Sequence, residues 1–142
     1  MHFPRGRYVI LPRRQTTWRQ AQGGDVHGTP TDQANTALEL ARRAFTATVQ
    51  AVAGGRRGWS HLVDQAVRAA SSVPLNLAES DGREGNDRRH HRRIAYGSAK
   101  EARVALQMLV GIAAIDGRGA ERAIRLHDRV CAMIWRLMES RR

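Results

Sequence analysis

From Thr31 onward the apolar residues recur at three- and four-residue steps, the spacing of a helix that buries one face. Leu38, Ala41, Phe45, Thr48 and Val52 predict a first helix of about five turns. Gly54-Gly55 ends it, and Ser60 stands as the N-cap of a second helix. Leu62, Ala66, Ala69 and Val73 form that helix's stripe, with Val63, Ala70 and Leu77 beside it. Pro74 falls inside the pattern. It lacks an N–H and crowds the carbonyl four residues back, so a kink or restart is expected there. Asp81-Gly82-Arg83-Glu84-Gly85 is the next break, with Asn86 as the N-cap of a third helix. Ile94, Ser98, Glu101, Ala105, Met108, Ile112 and Ile115 supply its expected buried stripe, closed by Gly117 and Gly119. Ala120, Ile124, His127, Cys131, Ile134 and Met138 repeat the rhythm in a fourth helix, flanked by Val130 and Leu137. Four amphipathic helices joined by short glycine-containing turns predict an all-α fold, an antiparallel up-and-down four-helix bundle over residues 32–140.

Residues 1–31 follow no such period. They hold three of the four prolines, five arginines and Gly23-Gly24, and read as a disordered basic arm. Two readings of the arm stand level: a nucleic-acid-binding extension, or upstream sequence from a misplaced start codon. Trp18 within it has the ring to stack on a base, although a lone tryptophan in a tail is usually incidental.

Composition adds a partner class. Of 142 residues, 42% are hydrophobic and only 5% aromatic, and the alanine and leucine content favours helices over a sandwich or barrel. The formal net charge is +11, carried almost wholly by arginine, with Lys100 the only lysine. A genome rich in G and C explains arginine in place of lysine but not the surplus of bases over acids, which points to a polyanion. Cys131 is the only cysteine, which excludes an intramolecular disulfide and a cysteine-based zinc site; its place in an apolar run makes it a small core residue. No apolar run is long enough to span a bilayer and no signal-peptide segment is visible, so a cytoplasmic protein without a membrane partner is expected.

Polar residues on the expected buried stripes call for partners, because unpaired burial costs free energy. Arg68, Asn76, Glu79, Ser98 and Glu101 are expected to form a satisfied structural polar layer. In it, Glu101 accepts from Arg68 or Asn76, and Glu79 meets Arg83 or a neighbouring chain. Such layers set register and partner choice more than stability. Glu79 and Glu101 also have the residue types of a paired acid and base, but no nucleophile, phosphate loop or second ligand set accompanies them. Catalytic residues are therefore expected to be none, and the chain is not expected to be an enzyme. Asp87 and His90 stand three residues apart, yet a di-iron bundle needs two Glu-x-x-His copies and further glutamates. No metal and no cofactor are expected, and His127 reads as a hydrogen-bonded core or interface histidine.

The runs QAVRAASSVPLNLAES and AYGSAKEARVAL, separated by the arginine turn, resemble the four-helix-bundle proteins encoded in intervening sequences of bacterial large-subunit (23S) rRNA genes. The resemblance is carried by Gln65, Arg68, Ala69, Ser72, Asn76, Ala78, Glu79, Gly97, Ser98 and Glu101 and extends over about Thr31 to Glu139. Val73 and Leu77 stand where that family has isoleucine, and Ser80 where it has glycine, which leaves the shape of the turn open. The resemblance implies a small basic bundle that assembles into a ring-like homo-oligomer, a pentamer, with no catalytic residues. A related branch serves diversity-generating retroelements as an accessory subunit that partners the reverse transcriptase and RNA.

The densest cations lie between the two motif halves. Arg83, Arg88, Arg89, His90, His91, Arg92 and Arg93 put two basic ridges at the start of the third helix, where backbone donors and the helix dipole favour phosphate. Arg42-Arg43 and Arg56-Arg57 extend this expected nucleic-acid-binding set. Only Tyr96 interleaves an aromatic, so phosphate contact is expected over base readout, RNA more than DNA, with a steep salt dependence. Two alternatives stand beside it: the arginines pair with Glu84, Asp87 and acids of neighbouring subunits, or the bundle is a protein-interaction subunit, docking a reverse transcriptase through the ring surface or Trp135.

Overall fold

The computed structural model describes residues 29–55 and 58–140. The basic arm through residue 28 and the pair Arg56-Arg57 lie outside them. Four helices follow in order: α1 Pro30–Val52, α2 Ser60–Asp81, α3 Gly85–Gly111 and α4 Gly117–Glu139. Each packs against its sequence neighbours, and α1 also packs against α4, which closes the ring of neighbours. Short connections between adjacent helices make them antiparallel, giving the expected up-and-down bundle.

Two helix starts are built by side chains. Thr29 Oγ1 accepts from the Asp32 N–H at 3.2 Å while Asp32 Oδ2 accepts from the Thr29 N–H at 3.0 Å, a reciprocal capping box, with Pro30 at the first helical position where no donor is needed. Asp116 caps α4 by accepting from the Gly119 N–H at 2.9 Å. The other two starts differ from the sequence reading. Ser60 is the first residue of α2 and not its cap, because the Trp59 carbonyl already accepts from Leu62 and Val63. Gly85 turns the chain at φ 54°, a left-handed value that glycine adopts freely, so α3 begins one residue before Asn86.

Gly117 and Gly119 do not close α3; they lie in the first turn of α4. Instead the Ala114 N–H reaches back to the Leu109 carbonyl at 2.8 Å and the Ala113 N–H to Val110 at 2.9 Å. This paired arrangement usually places glycine in the left-handed position, here filled by Ala113 at φ 54°. Nor does Pro74 restart α2, which runs through it unbroken. The turns on either side are held by Ala70, Val73 and Leu77, all buried, and that packing outweighs one missing donor.

The core is rich in alanine. On α3 the buried residues are Ala95, Ala99, Ala102, Ala105, Leu106 and Leu109, so the buried stripe is rotated by about one residue from the expected one. Ile94, Met108 and Ile112 are 37%, 52% and 42% exposed. The physical reason is close packing: small side chains let α2 and α3 approach, and the larger residues are displaced to the rim. Between α1 and α4, fully buried His127 sets Nε2 3.0 Å from Thr48 Oγ1, whose own hydroxyl donates to the Ala44 carbonyl at 2.9 Å. Thr48 therefore accepts and His127 Nε2–H donates, which leaves Nδ1 buried without a partner.

Candidate nucleic-acid interface

The arginine turn holds much of its charge inside its own fold. Arg83 donates through Nε to Glu79 at 2.9 Å and faces Asp87 at 3.2 Å. The hydrogen bond and charge of Arg83 pull the Glu79 carboxyl below its ordinary value, and the reverse interaction raises Arg83. Arg88 Nε donates to the Arg83 carbonyl at 2.6 Å, fastening the turn. Arg92 Nη1 donates to the Leu137 carbonyl at 2.8 Å, which ties α3 to the last turn of α4. His91 lies 3.1 Å from Asn76 Oδ1 and 3.9 Å from Asp87. Arg89, His90 and Arg93 remain exposed, Arg89 beside Leu137, Met138 and Ser140 at the end of α4.

A second basic surface comes from α4, and density along the chain does not reveal it. Arg118, Arg122, Arg125, Arg129 and Arg136 are all exposed and fall within about 60° of one another around the helix axis. They form a ridge of about 27 Å. Arg42 and Arg43 of α1 line an open groove against it, with Arg122 toward one end and Arg129 and Met133 toward the other, and with Glu39 between them. Of the five arginines on α4, Arg125 alone is ion-paired to a described carboxylate, that of Glu121. Arg118 stands in the first turn of α4, where the capping Asp116 is an acid but the turn itself holds none, so its own charge opposes the helix dipole. The 4-3-4-7 spacing carried this signal, but its spread over nineteen positions hides it until the phase of α4 is fixed.

The expected polar layer forms an outward groove between α2 and α3, not a layer of the core. Arg68, Glu79 and Glu101 are exposed; Asn76 and Ser98 are half-buried. Glu101 accepts from Gln65, not from Arg68 or Asn76, while Glu79 pairs with Arg83 as expected. Ser98 donates to Ser72 Oγ at 2.9 Å, and Asn76 Nδ2 donates to the same atom at 3.1 Å. Gln65, Ser72 and His91 thus join α2 to α3 with the residues singled out from sequence. Apolar Ile94, Val104, Met108 and Ile112 stand exposed on α3, and Leu75 on α2.

On the side of α3 facing α4, Tyr96 and Trp135 meet in a tilted contact with ring centroids 5.9 Å apart, and Lys100 Nζ sits 5.6 Å from the Tyr96 centroid. Arg103 pairs with Asp128 beside them, which raises the Arg103 pKa. Burial pushes the Cys131 thiol up, away from a reactive thiolate, and pushes His127 down to about 4. Glu79 and Glu101 each have a separate partner, Arg83 and Gln65. Among the described residues, no three His, Cys, Asp or Glu side chains converge as a metal site, and no helix is long and apolar enough to cross a membrane.

These features define a basic all-α bundle with cationic helix faces. The chain belongs to the 23S rRNA-intervening sequence protein family, whose pattern it matches over residues 34–136. Its fold is similar to the crystal structure of a protein of unknown function from the S23 ribosomal protein family of Bacteroides thetaiotaomicron, with a TM-score of 0.61 at 16% identity. That match covers 78% of this chain and 98% of the other. Among curated proteins none matches significantly.

Proposed function

We propose that this chain is a non-enzymatic bundle that assembles with copies of itself and binds nucleic acid, RNA in preference to DNA, mainly through phosphates. The observation that carries the reading is the arginine ridge of α4 with Arg42 and Arg43 beside it, exposed and almost free of carboxylate partners. Keeping Arg118 at a helix start against the dipole costs stability, which an anionic ligand would offset. The exposed Arg89 and Arg93 on α3 add to the same field. The family's association with rRNA genes supports RNA as the natural polyanion.

The outward faces of α2 and α3 support self-assembly. Their exposed apolar residues, near hydrogen-bonded polar ones, suit a second copy of the chain, and a ring of copies would multiply the basic surface and raise avidity. A salt series of filter-binding measurements on generic RNA and DNA tests the first part. Steep weakening with salt is expected, and absence of binding at low salt ends the proposal. Light scattering on M108D/I112D tests the second part: a monomer that keeps its helical content is expected, and an unchanged mass rules out this face.

A further inference from the structure

The aromatic pair between the two cationic faces, Trp135 exposed and Tyr96 half-buried, bears on what kind of nucleic acid is held. Trp135 is 52% exposed although it follows directly on the buried Ile134, and it leans on Tyr96 of α3. On one side, Arg93 and Lys100 stand exposed on α3; on the other, Arg136 closes the α4 ridge. Two carboxylates border the pair: Asp128, which Arg103 neutralises, and Glu139 at the end of α4. The local balance stays cationic around a large π-surface. A fixed indole is unusual on a basic face, because phosphate contact alone does not need one. Every unpaired base offers a π-face, whereas a duplex hides its bases inside the stack.

We infer that Trp135, braced by Tyr96, is a base-stacking platform, and that the ligand of this face is a single strand. The inference rests on the nucleic-acid reading above and adds the strand state to it. Phosphates run along the α4 ridge, and one base at its Arg136 end leaves its own stack for the indole. Tyr96 sets the ring angle at 47° to its own plane, and Lys100 over Tyr96 keeps that side of the platform charged. The platform reads no sequence, since stacking tolerates any base.

The test compares three probes at fixed salt with the full-length protein: a 20-nucleotide single strand, its duplex, and an abasic strand of equal length that keeps the phosphates. W135A is expected to weaken single-strand binding about tenfold, within the roughly 5- to 150-fold that one stacked base supplies, while W135F keeps most of it. Duplex and abasic binding should not change in W135A, which also checks that the variant is folded. Equal loss on all three probes, or no loss on the single strand, overturns the platform but leaves phosphate binding standing. The second of those results would assign Trp135 to contact with a protein instead. If the wild-type protein binds none of the probes, the phosphate reading falls and the platform with it.

Discussion

The arginine turn at residues 83–93 and the arginine ridge of α4 carry similar numbers of cations and put them to different uses. In the turn, Arg83, Arg88 and Arg92 are committed to Glu79 and Asp87, to the Arg83 carbonyl and to the Leu137 carbonyl. On the ridge, four of five guanidiniums face solvent without a described acid. Local density of charge is therefore a poor guide to availability. A run of arginines beside helix ends and acids finds intramolecular partners. Arginines spread along one helical face meet fewer acids, and on α4 all but Arg125 stay open to a ligand.

The largest expected effect separates the two regions directly. R118Q/R122Q/R129Q/R136Q should lower single-strand affinity by roughly a hundredfold or more at 0.1 M salt and flatten the salt slope by about 0.7 for each phosphate no longer neutralised. R83Q/R88Q should change binding far less, since neither side chain is free. Equal losses in both variants, measured by filter binding, would remove the distinction.

The inner face of the same helix gives the next effect. His127 falls to about 4 in the fold against about 6.5 when unfolded, so the unfolded chain takes up the proton first. Its contribution to stability is complete above pH 6.5 and is lost as the pH falls toward 4. This is worth roughly 3 kcal/mol across that window. Denaturant melts at pH 7 and pH 4.5 measure it, and H127Q, which keeps a donor for Thr48 without titrating, should lose most of the slope.

Arg92 sharpens the comparison from the stability side. R92A removes a charged donor from the Leu137 carbonyl, which should cost about 1–3 kcal/mol in denaturant unfolding and leave nucleic-acid affinity nearly unchanged. The smallest effect belongs to the uncharged α3–α4 turn. Ala113 holds a left-handed conformation, so A113G should stabilise the bundle by about 0.5–1 kcal/mol, read from the shift in melting midpoint.

Much of the bundle was legible in the chain, because helical period and glycine-containing breaks are local properties. The buried faces of α2 and α4 follow their apolar residues: Ala66, Val73 and Leu77 on one, Val130, Cys131 and Ile134 on the other. On α3 the larger apolar residues pointed to the wrong face. Ile94, Met108 and Ile112 outweigh alanine in hydrophobicity, but Ala95, Ala99 and Ala102 are what the neighbouring helices can approach closely. That shift carried Ser98 and Glu101 from an expected core layer to an outward groove, with Gln65 in place of Arg68 as the partner of Glu101. Helix ends misled for a related reason: Ser60, Asn86 and Gly117 are residue types suited to helix ends, yet the chain turns at Trp59, Gly85 and Ala113 instead.

By itself, then, the sequence determined four amphipathic helices, their order, the cationic surplus and the family motif, since each is written in spacing and composition. Only the tertiary structure decided which arginines are free and which α3 face is buried. It also brought Tyr96, Lys100 and Trp135 together from two helices. Those outcomes depend on how closely neighbouring helices pack and on which side chains find partners across them, and neither is encoded within a single helical repeat.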